Sequence, residues 1–209
     1  VSRQLSKENI PFVYKKLDST FKGNVGAEIA ACMDGFNYDF AILIPALPSN
    51  GRQTIEGNVL VNGTLLHLTE VANDPKTPVK QSYIPAILKT QTDKKTEVVI
   101  KPSTGYEVLE VVESIKALRA KGTEIVVFDA HDNEDLKILA AALRVYEERF
   151  LIVGTAGLAE FLTDALQLRS RRSVLSIIGS VSDVTRQQIE YARKFHEILL
   201  VDYSIEQMF

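Results

Sequence analysis

The sequence predicts an α/β protein with mainly parallel sheets, flanking helices and a β-hairpin arm. Three observations carry this. Short runs rich in Val, Ile and Phe alternate with helix-period segments over most of the 209 residues, the pattern of strand–helix units. These runs are apolar throughout, as strands buried on both faces must be. One region, GNVLVNGTLLHLTE, breaks the alternation by placing Asn62-Gly63 between two apolar runs, a strong hairpin signal.

Strands are expected at 11–14, 40–45, 97–100, 125–129, 151–154, 174–179 and 198–202. A helix at 25–33 follows Asn24, a residue suited to cap it. At 106–121, Val108, Val111, Val112, Ile115 and Leu118 recur at helical spacing, and Gly122 supplies the stop. At 134–148, Leu136, Leu139, Ala140, Leu143 and Val145 form a comparable stripe after the polar start HDNED. Further helices are expected at 158–166 and 183–194. NDPKTP, at 73–78, reads as an extended loop, because each proline disfavours helix at the residue before it. RSRR, at 169–172, is the best linker candidate.

Composition narrows the function classes. A net charge of −3 and a pI near 5.7 argue against binding nucleic acid or an anionic membrane surface. The single cysteine, Cys32, cannot form an internal disulfide, so a reducing cytoplasm fits. No apolar run approaches the roughly 18 residues that cross a bilayer. Without an initiator Met, and with a strand-like run close to the final residue, the chain reads as the middle of something larger.

Two strand-to-helix junctions hold the residues best suited to chemistry. His67, His131 and His196 are far apart and lack zinc spacing. No nucleophile elbow, dinucleotide fingerprint or Walker A loop is present. The first junction is KKLDSTFKGN, at 15–24. Lys16 can hold a carboxylate or phosphate, and Asp18 can accept a proton from a hydroxyl or orient a metal-bound water. Ser19 and Thr20 add short donors for a polyol. A solvated, capped turn explains the same residues. The second is SIIGSVSDVTRQQ, at 176–188. Here Gly179 allows close backbone approach, Ser180 follows, and Ser182 can cap a helix whose exposed N–H groups attract an anion.

The segment K-L-D-S-T-F-K-G-N-V-G, 16–26, resembles the K-x-D-S-T-x-R-G-N-x-G signature of the four-carbon acid sugar kinases. PALPSNGRQTIEG, its hairpin, and the T-x…D-P-x-x-P-V stretch at 69–79 are similar to further segments of that family. So are VFDAHDNEDL (127–136), VGTAGLA (153–159) and GSVSDVTRQQ (179–188). The resemblance implies a sugar-acid-binding domain, here 1–168 with its N-terminal part upstream. It also implies the beginning of a nucleotide-binding domain, here 169–209, with the rest downstream. It implies an ATP- and Mg²⁺-dependent kinase acting on threonate, erythronate or a 3-oxo-tetronate, and leaves a homodimer open. The implied catalytic residues are Lys16 and Asp18. The implied acid contacts are Lys16, Leu17, Asp18, Ser19 and Arg52, and Gly179, Ser180 and Ser182 are the implied ATP contacts. Thr155 and Gly157 are expected to shape the junction between domains. Lys22 stands where the family has Arg, which loses a bidentate fork, and Thr155 stands where it has Ser. On this reading residues 1–209 alone do not transfer phosphate. A non-catalytic sugar-acid sensor on the same fold is the alternative.

Overall fold

The computed structural model describes residues 2–7, 12–167, 187, 189–191, 193 and 194. The chain runs through α1 (Ser2–Leu5), β1 (Tyr14–Lys16), α2 (Val25–Phe36) and β2 (Ala41–Ile44). It then forms β3 (Arg52–Ile55), β4 (Asn58–Val61) and β5 (Thr64–Leu65), followed by α3 (Ile84–Lys89). Three strand–helix units come next: β6 (Thr96–Val99) with α4 (Val108–Ala120), β7 (Ile125–Phe128) with α5 (Asn133–Val145), and β8 (Leu151–Gly154) with α6 (Ala156–Ala165).

The five-stranded sheet is parallel throughout, in the order β1-β8-β2-β7-β6. Every residue of β2, β7 and β8 is buried, which is why these runs are uniformly apolar. Strand alternation divides them between two cores. Leu43, Val127 and Val153 pack with Ile29 and Met33 of α2 and Leu88 of α3. Ile42, Val126 and Ile152 pack with Ile115 of α4, Leu139 of α5 and Leu158 of α6 on the opposite face. Each such aliphatic side chain contributes about 1.5–3 kcal/mol on burial. The chain crosses the sheet one way from β1 through β2 to β6, then returns through β7 to β8. Right-handed crossovers running in opposite directions put their helices on opposite faces, as the two cores require.

Several local expectations need correcting. Asn24 precedes α2, but its side chain makes no capping bond. The Gly26 N–H instead donates to Gln91 Oε1 at 2.7 Å, so the cap comes from a residue distant in sequence. α4 starts at Val108 rather than 106, because Gly105 (φ 87°) and an extended Glu107 delay it. α6 starts at Ala156, capped by Thr155. The Asn62-Gly63 turn forms as expected, with positive φ at both residues and Val61 opposite Thr64. A second such turn, Glu56 (φ 51°) and Gly57 (φ 72°), joins β3 to β4, making the arm three-stranded.

Two compact units divide the chain, Val1–Ser170 and Arg171–Phe209. In the second, residues 187, 189–191 and 193 are helical, and Arg193 pairs with Glu190 at 3.0 Å. The expected strands at 174–179 and 198–202 lie outside the described residues.

Candidate functional site

In open parallel sheets, ligands bind outside the carboxyl ends of the strands. The register sets Lys16, Gly154 and Ile44 level at that edge. Past Lys16, the Leu17 N–H donates to Gly154 O at 2.8 Å. The Leu17 side chain is buried in the core, which leaves only its backbone for the expected acid contact. Asp18 opens a tight turn: its carbonyl accepts from the Phe21 N–H at 3.0 Å. Its Oδ2 accepts the N–H groups of Thr20 (3.3 Å) and Lys22 (3.4 Å) and the Thr20 hydroxyl. Phe21 adopts φ 56°, a conformation unfavourable for a bulky residue; burial of its ring at 1% exposure holds it there.

The loop is therefore a structured turn that still presents exposed polar groups. Oδ2 of Asp18 folds the loop, while Oδ1 has no partner among the described residues. The Lys16 side chain is exposed and likewise unpartnered among them. Its neighbour Lys15, on the other strand face, is paired with Glu28 at 2.7 Å. Ser19 is half-buried within the turn.

Lys22 pairs with Asp74 at 2.7 Å, tying this loop to the 66–79 segment. The Lys22 ammonium, with N–H groups of Thr77 and Lys76, holds the Asp74 carboxyl well below its usual range. Glu70, of the same segment, also lies close enough to help raise the Lys22 pKa, after the Asp74 hydrogen bond. Arg52 lines a cavity of about 400 Å³ with Asn62, Leu68, Thr69, Glu70 and Val71, among others. Its Nη1 donates to Asn50 O, while its Nε is buried with no partner among the described residues. The 66–79 segment thus links the Lys16–Lys22 loop to the Arg52 cavity.

The aspartates of VFDAHDNEDL are architectural. Asp129 Oδ2 and Oδ1 accept the N–H groups of Glu56 (2.7 Å) and Gly57 (2.9 Å). Burial pushes its carboxyl above the usual value, opposed by those N–H donors. Asp132 caps α5, accepting from Asp135 N–H at 3.0 Å. Asp135 pairs with Lys101 at 2.7 Å and accepts the His131 N–H, also at 2.7 Å. The only sequence signal for these contacts was the motif itself; partners up to 73 residues away were not legible. Thr155 accepts the Gly157 N–H at 3.2 Å and donates to Ala46 O at 2.6 Å, so both residues tie β8 to the β2 loop. A Cβ on Gly157 would sit 3.0 Å from Ala46 O, which explains the glycine.

His67 bonds Ser82 Oγ at 2.8 Å, and His131 Nε2 is buried without a partner among the described residues. Gly179, Ser180, Ser182 and His196 lie outside the described residues. Among the described residues, no three His, Cys, Asp or Glu side chains gather to hold a metal. Nor is any helix among them long and apolar enough to cross a membrane.

Comparison with known proteins gives this edge a family. Residues 1–162 match the model of the sugar-binding N-terminal domain. The chain is 41% identical over 200 residues to a D-threonate kinase of Salmonella typhimurium, covering 95% of this chain and 47% of the relative. It is 33% identical to a D-erythronate kinase of Heliobacterium modesticaldum (84% and 41% covered). A crystal structure from Salmonella typhimurium superposes with a TM-score of 0.72 at 29% identity, covering 91% of this chain and 47% of that one. Another, a domain of unknown function from Bordetella bronchiseptica with bound citrate, is a domain-swapped dimer. It matches at a TM-score of 0.68 and 30% identity, over 92% of this chain and 46% of that one. Residues 1–162 are a sugar-binding N-terminal domain, and the chain belongs to the four-carbon acid sugar kinase family. It spans about half the length of the relatives it matches.

Proposed function

We propose that this chain supplies the acid-binding part of an ATP-dependent kinase that phosphorylates the terminal hydroxyl of a four-carbon sugar acid. The observation that carries this reading is that the Lys16 ammonium and Asp18 Oδ1, each without a partner among the described residues, both lie at the carboxyl edge of the sheet. A sugar acid offers an anion and several hydroxyls, and this edge offers a cation and an acceptor for them. Threonate, erythronate and 3-oxo-tetronate share that chemistry, and the relatives' names span all three.

Lys16 neutralises the acid or the phosphoryl group in transfer. Asp18 and Ser19 hold hydroxyls, with the Leu17 backbone completing the contact, and Arg52 clamps the carboxylate from the arm. Gly179, Ser180 and Ser182 receive the nucleotide. Magnesium, when bound, would neutralise charge on the ATP phosphates, and Asp18 would orient a water bound to it. Phosphoryl transfer depends mainly on positioning and charge stabilisation, which these residues supply. The full-length protein acts as a homodimer, a reading supported by the dimeric Bordetella relative.

The test is steady-state kinetics of the full-length protein with D-threonate or D-erythronate and Mg·ATP, reading ADP release. Lys16→Met should weaken transition-state binding by about 2–4 kcal/mol, roughly 30- to 1,000-fold in kcat/KM, without shifting Tm. Unchanged kcat/KM in both Lys16→Met and Asp18→Asn would remove this loop from the site. Acid binding with no ADP release would make the protein a sensor instead.

A further inference from the structure

The arm that carries Arg52 is seated on the main sheet by three consecutive residues at the end of β7. Asp129 is 0% exposed, and its two oxygens take the N–H groups of Glu56 and Gly57, the β3–β4 turn. Ala130 exchanges two backbone hydrogen bonds with Thr54, at 3.0 and 3.1 Å. The His131 carbonyl accepts from Gln53 Nε2 at 2.9 Å. Gln53 and Thr54 of β3, and the Glu56-Gly57 turn that follows, are thus held by this segment, and Arg52 is the next residue back along the same strand.

The choice of a carboxylate is informative. A hairpin turn at a protein surface satisfies its N–H groups with water, and an apolar contact would suffice to dock it. Burying a carboxylate costs solvation that only well-aligned donors offset. In exchange, two donors converging on two oxygens fix both the height and the rotation of the turn. An amide of the same shape offers one acceptor and turns its NH₂ against a second N–H.

We propose that Asp129 is a positioning residue for acid binding, holding β3 so that the Arg52 guanidinium meets the substrate carboxylate at the Arg52 cavity. This rests on the reading of Arg52 as the carboxylate clamp. A displacement of about 1 Å at a binding group can cost on the order of 100-fold, so a loosened turn should show in acid binding first.

The experiment uses the full-length enzyme with Mg·ATP and whichever of D-threonate or D-erythronate supports turnover. Asp129→Asn should raise the KM for the acid about tenfold or more and leave the KM for ATP within about twofold. In an Arg52→Ala background the same substitution should change the acid KM by less than about twofold, because the group it positions is gone. Gln53→Ala, which leaves the buried carboxylate paired, should raise the acid KM in the same sense and decides the matter if Asp129→Asn does not fold. Hydrogen exchange at the Glu56 and Gly57 amides should quicken in Asp129→Asn.

Equal rises in both KM values, or an undiminished effect in the Arg52→Ala background, would overturn the proposal. So would an Arg52-sensitive enzyme indifferent to both Asp129→Asn and Gln53→Ala, and the clamp would then stand alone. Arg52→Ala with unchanged acid KM would overturn this inference and the clamp together, leaving Lys16 and Asp18 to be judged by their own variants.

Discussion

Replacing Thr155 by Val tests how the carboxyl ends of β8 and β2 are joined. The side chain is 1% exposed, and its hydroxyl both accepts from the Gly157 N–H and donates to the Ala46 carbonyl. Valine keeps the shape and removes both bonds. Losing the helix cap costs about 1 kcal/mol. Leaving the Ala46 carbonyl buried without its donor costs roughly 1–3 kcal/mol more. The sum is about 2–4 kcal/mol, against about 1 kcal/mol for Thr155→Ser, which loses only a methyl group. The chain has no tryptophan, so urea unfolding is best followed by far-UV circular dichroism. With m near 2 kcal/mol/M, the midpoint for Thr155→Val should fall by about 1–2 M. A Val variant as stable as the parent would show that the hydroxyl bonds contribute nothing net. A Ser variant less stable than Val would assign the residue's role to its methyl group.

The Lys22–Asp74 tie gives a pH signature. The folded carboxyl titrates below its ordinary value because Lys22 and two backbone N–H groups donate to it. Its contribution is therefore fully present above the unfolded pKa near 3.9 and fades as pH falls through the lower folded value. Asp74→Asn should accordingly lower Tm at neutral pH and flatten the acid limb of a Tm-against-pH curve; an acid limb identical to the parent's would show that the pair adds no stability. Leu17→Ala should cost about 2–5 kcal/mol, because the side chain is 3% exposed in the core. Lys16→Met, one residue away and exposed, should leave Tm unchanged, and comparable losses from the two would refute the division of β1's end into core and site.

Local pattern was enough to place the three central strands, β2, β7 and β8, because a strand buried on both faces must be apolar at every residue. Ile125–Phe128 and Leu151–Gly154 carry that signature with no help from the rest of the chain. The edge strand β1 is YKK and lies at Tyr14–Lys16 rather than 11–14. Turn chemistry was equally local: Asn62-Gly63 makes its hairpin because both residues tolerate positive φ. The Lys16–Asp18 loop could be picked out as a strand-to-helix junction, and the family resemblance named its chemistry. What it could not show was that one oxygen of Asp18 folds the turn while the other has no partner among the described residues. Tertiary structure alone decided the contacts between distant residues. Gln91 caps α2 in place of Asn24, Lys22 answers Asp74, and Asp129 seats a turn 72 residues away. The short α3 and the Glu56-Gly57 turn escaped for the same reason. The turn puts a charged residue at positive φ, held by a buried carboxylate that lies just past β7. Hydrophobic periodicity records which face of an element is buried, but a single polar side chain has no period, and its partner is chosen only when the fold brings the two together.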